Sequence, residues 1–244
     1  MTAIREKQSK RLQSELALLQ CIYDCTGCDD ETLIRMLCVK LYFEEISKEY
    51  NSNIITTECW TGINVGWGVN PCLAMSLLAD EGIYVACEWD VHMAITNTIL
   101  LAASRGTRQP LQGEFTCRHP ENENGELLWH CGPFPASCCA KNQKPKLYGG
   151  KPCFRAEDGT YTLARFQTDR DKYYLLCGKF HTCTGPETSG TYLWAEFDNL
   201  PKLERKLIEG PYIHHATEIF GDYTKELKEF ADYTGIILDT FGEE

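Results

Sequence analysis

The sequence predicts an α/β protein whose first part is a parallel α/β segment and whose second part is rich in β-strands. Short apolar segments alternate with helical patterns in residues 53–104, as in units that form parallel sheets. The composition changes near Gly106, after which Gly, Pro, Asn and Lys become frequent. Several segments typical of strands follow in residues 161–241. These observations predict two domains, residues 1–106 and 107–244.

Two helices are predicted near the start of the chain, in residues 9–25 and 30–50. Leucines recur at helical spacing along one side of the second helix, which predicts that this side is buried. Asp29 or Asp30 stands where its side chain can cap the first turn by accepting a backbone hydrogen bond. We therefore expect a capped helix with one buried face.

Residues 53–58 are predicted to form a strand, and the glycines of residues 62–68 a loop. Pro71 suits the first turn of the following helix, which Asn70 can cap and Gly82 ends. A strand and a helix in this order begin a parallel α/β unit.

A second short strand is predicted at residues 83–87, where the side chains are continuously apolar. Glu88, Trp89 and Asp90 follow it directly, and Asp90 can cap a helix in residues 91–104. Ligands of parallel α/β units collect at the carboxyl ends of the strands. These three residues are therefore candidates for a binding site, although an acidic residue at this place is also an ordinary helix cap.

The second domain is predicted to consist mainly of strands, with two helices. In order, these are strands at 161–166, 173–177 and 191–197, a helix at 202–208, a strand at 212–220, a helix at 223–234 and a strand at 236–241. Residues 107–160 contain only short apolar pieces between turn-forming residues, and they are expected to be mostly irregular.

The charge and hydropathy of the chain exclude some partners. The formal net charge is −11, and the acidic residues are spread along the chain. Such a surface repels phosphate backbones, so we expect no nucleic-acid partner. No apolar run approaches the roughly 20 residues of a membrane-spanning helix, and residues 1–10 do not resemble a secretory signal. We therefore expect no membrane partner and a cytoplasmic location.

Fourteen cysteines are many for a cytoplasmic protein. Most stand in apolar stretches, Cys72 and Cys87 among them, where a reduced cysteine behaves as a small apolar side chain. Cys131, Cys138 and Cys139 follow His130 closely, but their spacing fits no standard zinc knuckle. We therefore expect the cysteines to be structural.

Three short segments carry side chains that together can bind a metal ion. They are Cys-Glu-Trp-Asp around Glu88, Gln-Gly-Glu-Phe around Glu114, and the pair His214 and His215, with His130 as a further imidazole. Carboxylates and imidazoles form an oxygen and nitrogen site that suits Mn²⁺ or a similar divalent ion. Because neighbouring side chains of a strand point to opposite faces, at most one histidine of the pair can enter a given cleft.

These segments resemble the L-fucose and L-arabinose isomerases. The resemblance is carried by Gly-Ile-x-Val-Ala-Cys-Glu-x-Asp at residues 82–90, by Gly-Glu at Glu114, by His-Cys-Gly at His130, and by the late histidine pair. It extends over most of the chain. It implies an aldose–ketose isomerase that uses Mn²⁺ or another divalent ion. The implied fold is that of the C-terminal half of those enzymes, with a barrel-like β-rich domain.

The resemblance also implies roles for individual residues. Glu88 and Glu114 match the family's two catalytic, metal-binding carboxylates, and His215 or His214 matches its late histidine ligand, with His215 favoured. His130 matches a further histidine of the arabinose branch. The carboxylates can move the proton that converts an aldose through an ene-diol to a ketose, while the ion stabilises developing charge. The sequence does not determine which carboxylate is the base.

Residues next to these ligands are candidates for binding the substrate. Trp89 and Trp129 flank the ligands and can offer apolar faces to a sugar ring, although such aromatics more often belong to a core. Asp90 is a further candidate for substrate binding. The expected partner is therefore a small-molecule sugar, whose identity the sequence does not reveal.

Members of the family begin with an α/β region that has no counterpart in this sequence. We therefore expect residues 1–106 to correspond to the remnant of a middle domain. We also expect a homo-oligomer or a separate N-terminal half to complete the enzyme. Isomerase activity of this chain by itself is a hypothesis.

Two alternative functions remain. Cys21, Cys25 and Cys28 have the spacing with which radical enzymes hold an iron–sulfur cluster, but they join two predicted helices rather than following the first strand of a barrel. The other alternative is a sugar- or metal-binding relative without catalysis. The missing N-terminal region favours it, whereas the retained pair Glu88 and Glu114 argues against it.

Overall fold

The computed structural model describes residues 1–242, which form two compact units. The first unit contains residues 1–90, 131–156 and 189–191, and the described part of the second contains 91–130, 157–188 and 192–242. This division differs from the predicted one near residue 106. The helix after Asp90 belongs to the second unit, and a later excursion of the chain returns to the first.

Residues 1–242 contain eight helices and eleven strands, numbered here along the chain. The helices are α1 (Thr2–Lys7), α2 (Ser9–Ile22), α3 (Asp30–Tyr50), α4 (Val65–Trp67), α5 (Cys72–Asp80), α6 (Val91–Ala103), α7 (Leu200–Glu209) and α8 (Thr224–Thr234). The strands are β1 (Ile54–Thr56), β2 (Tyr84–Ala86), β3 (Pro110–Arg118), β4 (Gly125–His130), β5 (Lys146–Tyr148), β6 (Lys151–Arg155), β7 (Thr160–Asp169), β8 (Lys172–Thr182), β9 (Thr191–Glu196), β10 (His215–Phe220) and β11 (Ile237–Thr240). No helix among them is long and apolar enough to cross a membrane.

Helix α3 forms where the sequence predicts it. The Asp29 carboxylate accepts a hydrogen bond from the Thr32 amide at 2.9 Å, which satisfies one of the unpaired amides of the first turn. Leu33, Leu37 and Leu41 on its buried face are fully inaccessible to solvent. Helices α1 and α2 pack against α3, and this packing stabilises the helical part of the first unit.

A buried ammonium group lies among the helices of the first unit. Lys40 on α3 is 1% exposed, and its Nζ lies 3.0 Å from carboxylate oxygens of Glu15 and Glu44. A carboxylate oxygen of Glu81 lies 2.9 Å from the same Nζ. Burial alone lowers the pKa of Lys40, but the hydrogen bonds to the carboxylates outweigh it and raise the pKa above its ordinary value. Lys40 is therefore buried in its charged form.

Strands β1 and β2 of the first unit form the predicted parallel pair, with Ile54 opposite Tyr84. The segment between them departs from the prediction in two ways. The expected loop at residues 62–68 is mostly helical, with a wide turn at Cys59–Asn64 followed by α4. Asn70 does not cap α5, because its Oδ1 accepts a hydrogen bond from Asn64 Nδ2 at 2.8 Å and Pro71 stands at the cap position.

The returning segment of the first unit contains the hairpin of β5 and β6. Its turn is formed by Gly149 and Gly150, both with positive φ, as a tight two-residue hairpin requires. The pieces of chain on either side are short and irregular. The prediction of irregular structure therefore holds for residues 131–145 rather than for the whole of 107–160.

The second unit contains a strongly paired sheet with the strand order β11-β8-β7-β10-β3-β4-β9. The end of β8 also pairs with β9, where His181 stands opposite Glu196. This additional pairing closes a ring of six strands within the described residues, so that β8, β7, β10, β3, β4 and β9 form a small barrel. Strand β11 adds to the outside edge of β8 in parallel.

Helices α6 and α8 cover one side of this barrel. Their buried residues Ile99, Leu100 and Leu227 join a core cluster with residues of β7, β8 and β10. The long strands β3 and β4 are the main difference from the prediction, since both lie in a region that was expected to be mostly irregular. Turn-forming residues in the loops around them obscure the strand pattern, and pairing with distant strands stabilises them.

Candidate metal-binding site

Three neighbouring strands of the second unit carry a carboxylate and two imidazoles. Strand β3 lies between β10 and β4, and His215 at the start of β10 stands directly opposite Glu114. Trp129 on β4 stands opposite Glu114 on the other side, and His130 follows it at the end of the strand. Sheet pairing alone therefore brings together three residues that lie far apart in the sequence. Glu114 stands in the middle of β3.

The donor atoms of these residues are close enough to share one ion. His130 Nε2 lies 3.3 Å from Glu114 Oε1, and the rings of His130 and His215 are 6.1 Å apart. One ligand atom from each of Glu114, His130 and His215 lies within 4.8 Å of the other two. Ligands about 2.1 Å from a shared ion lie at most about 4.2 Å apart, so the spacing is close to that of a metal centre. The donor set of one carboxylate oxygen and two imidazole nitrogens fits a divalent ion such as Mn²⁺ or Zn²⁺.

Burial distinguishes these three side chains. His130 is inaccessible to solvent and His215 is 4% exposed, while the Glu114 side chain retains 18% of its exposure. An imidazole binds a metal through a ring nitrogen that carries no proton. The site therefore consists of one partly exposed carboxylate and two buried nitrogen donors.

His214 lies at the rim of this group. Its side chain is 59% exposed, and its Nε2 lies 3.7 Å from Glu114 Oε2. Its ring is 4.5 Å from that of His215, at a steep angle. The two histidines thus differ mainly in burial. Trp129 stacks parallel to His130 at 6.5 Å and so offers an aromatic side chain beside the buried nitrogen donors.

Glu88 belongs to the first unit, where it lies in the short helical turn Cys87–Trp89 that follows β2. Its backbone is in the left-handed region, with φ of 57°, and that of Trp89 follows with φ of 56°. Each such residue costs of the order of 1–3 kcal/mol, and strain of this kind gathers at functional sites. The Glu88 carboxylate accepts a hydrogen bond from Trp60 Nε1 at 3.0 Å. Two consecutive strained residues therefore present a carboxylate that a neighbouring indole orients.

The other candidates of this segment lie at the surface of the first unit. The Trp89 side chain is 67% exposed, and its amide donates to the Thr57 carbonyl at 3.0 Å. Asp90 is half-buried and immediately precedes α6. Trp60 is also well exposed. The hydrogen bond from its indole N–H to the Glu88 carboxylate can be recognised only from the structure, in which β1 and β2 are paired.

A buried polar layer supports the strand that carries His215. The Thr217 hydroxyl donates to Asn97 Oδ1 at 3.1 Å, and both side chains are almost fully buried. Glu218 is fully buried, and burial raises the pKa of its carboxyl well above the ordinary value. A Cβ added to Gly113 would lie 2.5 Å from Glu218 Oε1, so a side chain at this position would have to displace the buried Glu218 carboxyl. The sequence pattern gave no indication of Asn97 or Glu218.

The cysteine motif of the iron–sulfur alternative is not assembled. Cys21 is exposed on α2, while Cys25 and Cys28 lie in the following turn. Among the described residues, these three do not form a group whose ligand atoms lie near one another. The geometry therefore gives no support to a cluster held by this motif.

Comparison with models of known protein families finds no match. The chain is 27% identical over 210 residues to a sulfoquinovose isomerase of Alkalicoccus urumqiensis. The aligned region covers 82% of this chain and 47% of that protein. It is 24% identical to the sulfoquinovose isomerase of Priestia megaterium, and the aligned region covers 82% of this chain and 47% of that protein. The sulfoquinovose isomerase of Clostridium sp. strain MSTE9 is also 24% identical, and the aligned region covers 80% of this chain and 46% of that protein.

The chain spans about half the length of the curated relatives it matches. Their name supports the coarser part of the resemblance, a sugar isomerase. It does not identify the L-fucose or L-arabinose isomerases in particular. The chain is thus similar, at low identity, to about half of a sugar isomerase.

Proposed function

We propose that this chain carries the metal-binding part of an aldose–ketose isomerase that acts on a sugar. The observation that carries the proposal is the group of Glu114, His130 and His215 on three adjacent strands, with donor atoms spaced for one ion. The similarity to sulfoquinovose isomerases supports the same class of reaction. Sulfoquinovose is therefore the first substrate to test, with L-fucose and L-arabinose beside it.

We assign Glu114, His130 and His215 as ligands of Mn²⁺ or a similar divalent ion, and Glu88 as the remaining carboxylate of the site. The assignment of Glu88 rests on the sequence resemblance and on its strained, oriented carboxylate in the first unit. When bound, the ion supplies a Lewis acid for the two oxygens that exchange carbonyl character. His215 is preferred to His214 because buried imidazoles lose less freedom and less hydration on binding.

The carboxylates supply the proton transfer of the reaction. In an aldose, the proton on C2 is removed and a proton is returned to C1, and the hydroxyl proton on O2 passes to O1, with an ene-diol as the intermediate. Glu88 and Glu114 are the candidates for these roles. The indole of Trp60 holds one oxygen of Glu88 and thereby orients the carboxylate.

The aromatic side chains account for sugar binding in this proposal. Trp129 stacks on His130, and Trp89 exposes most of its ring beside Glu88. The apolar face of a sugar ring packs well against such rings. Asp90 follows Trp89 and is assigned to a hydroxyl of the substrate. Loops outside the matched residues are expected to select the particular sugar.

Calorimetric titration of the metal-free protein with Mn²⁺ tests the metal site. We expect one ion per wild-type chain and at least tenfold weaker binding in Glu114→Gln and His215→Ala, because each variant loses a ligand. His181→Ala is the matched control, since His181 bonds to Thr160 on the far end of β7. Wild-type affinity in both site variants would overturn the assignment.

Ketose formation, followed by carbon NMR with the three sugars, tests the reaction. We expect turnover of at least one of them in the presence of Mn²⁺, and a loss of about 10²–10⁴-fold in Glu114→Gln, the range of general acid–base catalysis. Binding of a sugar without any ketose at long times would instead identify a non-catalytic relative. Adding, as a separate protein, the half of a sulfoquinovose isomerase that this chain does not match distinguishes an incomplete site from an inactive one.

A further inference from the structure

Two sulfurs and a carboxylate come together after strand β2 of the first unit. Cys87 and Glu88 stand in the short helical turn that follows β2, and Cys59 opens the wide turn after β1. Cys59 Sγ lies 3.3 Å from Cys87 Sγ, and one oxygen of the Glu88 carboxylate lies within 4.8 Å of both sulfurs. Both cysteines are reduced. They were expected to be structural, and their meeting with a carboxylate is a result of the pairing of β1 with β2.

A second pair of sulfurs in the same unit provides an internal comparison. Cys72 Sγ lies 3.3 Å from Cys131 Sγ, the same separation as in the first pair. Among residues 1–242, however, Cys72 and Cys131 belong to no group of three ligands whose donor atoms lie within 4.8 Å of one another. Sulfur contact is thus common to both pairs, whereas the third donor is particular to Cys59 and Cys87. That donor distinguishes a set of ligands from two thiols that only fill an apolar core.

The three donors need only small movements to hold one ion. In a tetrahedral Zn²⁺ site, two sulfurs at about 2.3 Å from the ion lie about 3.8 Å apart, and an oxygen at about 2.0 Å lies about 3.5 Å from each sulfur. The sulfurs therefore have to separate by about 0.5 Å, and the carboxylate has to approach by at most about 1.3 Å. The Glu88 side chain is exposed, so it can make this movement without disturbing the core.

The surroundings of the group suit a bound ion. A cavity of about 290 Å³ reaches Cys59, and it is also lined by Trp60, whose indole holds one oxygen of Glu88. The Glu88 backbone amide donates a hydrogen bond to the Cys59 sulfur, and such outer contacts stabilise a bound ligand. Lys151 lines the same cavity and offsets the net negative charge that two thiolates, a carboxylate and a divalent ion leave. The group thus has an entry path and a counter-charge.

We propose that Cys59, Cys87 and Glu88 form a second metal site, which binds a thiolate-preferring divalent ion such as Zn²⁺ or Cd²⁺. Two sulfurs and one oxygen favour such ions over Mn²⁺, which prefers oxygen and nitrogen donors. Binding forms two metal–sulfur bonds and releases the two thiol protons to solvent, and no electron transfer is involved. The fourth tetrahedral position is left to a water molecule.

The second site shares a carboxylate with the proposed isomerase site, to which Glu88 is also assigned. An ion held by Cys59 and Cys87 withdraws Glu88 from Mn²⁺, and we therefore expect thiolate-preferring ions to inhibit the isomerase. This inhibition rests on the proposed function, whereas binding of the ion by the two cysteines and Glu88 does not.

X-ray absorption of the wild-type protein with one equivalent of Zn²⁺ tests the ligand set without any variant. We expect two sulfurs at about 2.3 Å and two lighter atoms at about 2.0 Å from the ion. Proton release measured in a weak buffer should approach two per ion, one from each thiol. Fewer than two sulfurs would overturn the proposal, because at least one of the cysteines would then not bind the ion. More than two would overturn the assignment of Glu88.

Titration of the reduced, metal-free protein with Cd²⁺ under argon tests the same residues through the ultraviolet charge-transfer absorbance of cadmium thiolates. Cys59→Ala and Cys87→Ala should each lose at least half of the absorbance. Glu88→Gln should keep the absorbance and weaken binding by at least the roughly 10–100-fold that loss of an outer contact costs. Cys72→Ala is the matched control, because it alters the sulfur pair that lacks a third donor. A loss of absorbance in the control, or none in Cys59→Ala, would overturn the proposal.

A last experiment separates this site from the proposed isomerase site. His215→Ala should keep the cadmium absorbance and lose Mn²⁺ binding. In the wild type, one equivalent of Cd²⁺ should weaken Mn²⁺ binding by about tenfold or more, measured as free Mn²⁺ by electron paramagnetic resonance, but not in Cys59→Ala. Unchanged Mn²⁺ affinity with Cd²⁺ bound would overturn the sharing of Glu88. Failure of Mn²⁺ to bind at all would contradict the proposed function alone, because the cadmium absorbance still decides whether the second site exists.

Discussion

The two units of the protein differ in whether a buried ionisable side chain carries its charge. Lys40 in the first unit is surrounded by the carboxylates of Glu15, Glu44 and Glu81, and it stays ionised. Glu218 in the second unit is fully buried without an ion-pair partner among the described residues, and burial raises the pKa of its carboxyl well above the ordinary value. A buried charge thus persists where partners offset desolvation, and it is neutralised where they do not.

The units also bring different side chains into contact. In the first, the sulfurs of Cys59 and Cys87 and those of Cys72 and Cys131 lie 3.3 Å apart, and in the second a carboxylate and two imidazoles lie close together. The comparison teaches that the chemistry of each unit follows from which side chains its pairings bury.

The largest effect is expected from removing the buried cation of the first unit. Lys40→Ala removes the buried ammonium from three carboxylates, of which Glu15 and Glu44 keep Arg11 as a partner, and it should lower the free energy of unfolding by about 3 kcal/mol. Urea denaturation at neutral pH measures this change. Lys48→Ala is the control, because its side chain is 72% exposed and should contribute less than about 0.5 kcal/mol. Equal losses of unfolding free energy in Lys40→Ala and Lys48→Ala would contradict the role given to the buried ammonium.

A smaller and pH-dependent effect is expected at the buried carboxyl of the second unit. Folded Glu218 keeps a proton that the unfolded chain releases above its pKa of about 4.3, so this residue lowers stability progressively as the pH rises above that value. Glu218→Gln removes the ionisation and should raise the free energy of unfolding by about 1–3 kcal/mol near neutral pH.

Denaturation at several pH values tests the sign of this effect. The difference between Glu218→Gln and the wild type should shrink toward zero as the pH falls to the ordinary pKa of a glutamate. Glu229→Gln, with a side chain that is 69% exposed, should show no such trend. A gain in stability that is constant across the pH range would mean that Glu218 is ionised in the folded protein.

The smallest effect is expected at the indole that orients Glu88. Trp60→Phe keeps an aromatic ring but loses the N–H donor to the carboxylate. We expect ketose formation to fall by about tenfold or less, because an exposed hydrogen bond to a charged group is worth of the order of 1 kcal/mol. Trp67→Phe, whose ring packs against Tyr42 at 5.1 Å, is the matched control. An unchanged rate in Trp60→Phe would remove the orienting role.

Local patterns predicted the helices and the short parallel strands well. The cap at Asp29 and the leucine face of α3 depend on residues within a few turns of one another, and both are confirmed. The segment after Pro71 was predicted as a helix for the same reason, although its cap was wrong. The strand that contains Glu114 was poorly predicted, because its stability comes from β10 and β4 rather than from its own composition.

The candidate site was predicted as a set of residue types and not as a geometry. Glu114, His130 and His215 were identified from the sequence, mainly by the resemblance to sugar isomerases. Their contact depends on the register that places His215 opposite Glu114. A shift of one residue would turn His215 to the other face of the sheet, and no local signal specifies that register.

The sequence by itself determined most of the helices, the strands after residue 160, the acidic net charge and the carboxylates and imidazoles available for chemistry. Only the tertiary structure decided that four cysteines meet in two pairs, that Glu88 lies in the left-handed region and that Glu218 is buried without a counter-charge. The physical reason is the separation along the chain of the residues that interact. Helix caps and periodicity act between near neighbours, whereas sulfur contacts, strand register and desolvation depend on segments that fold together from distant parts of the chain.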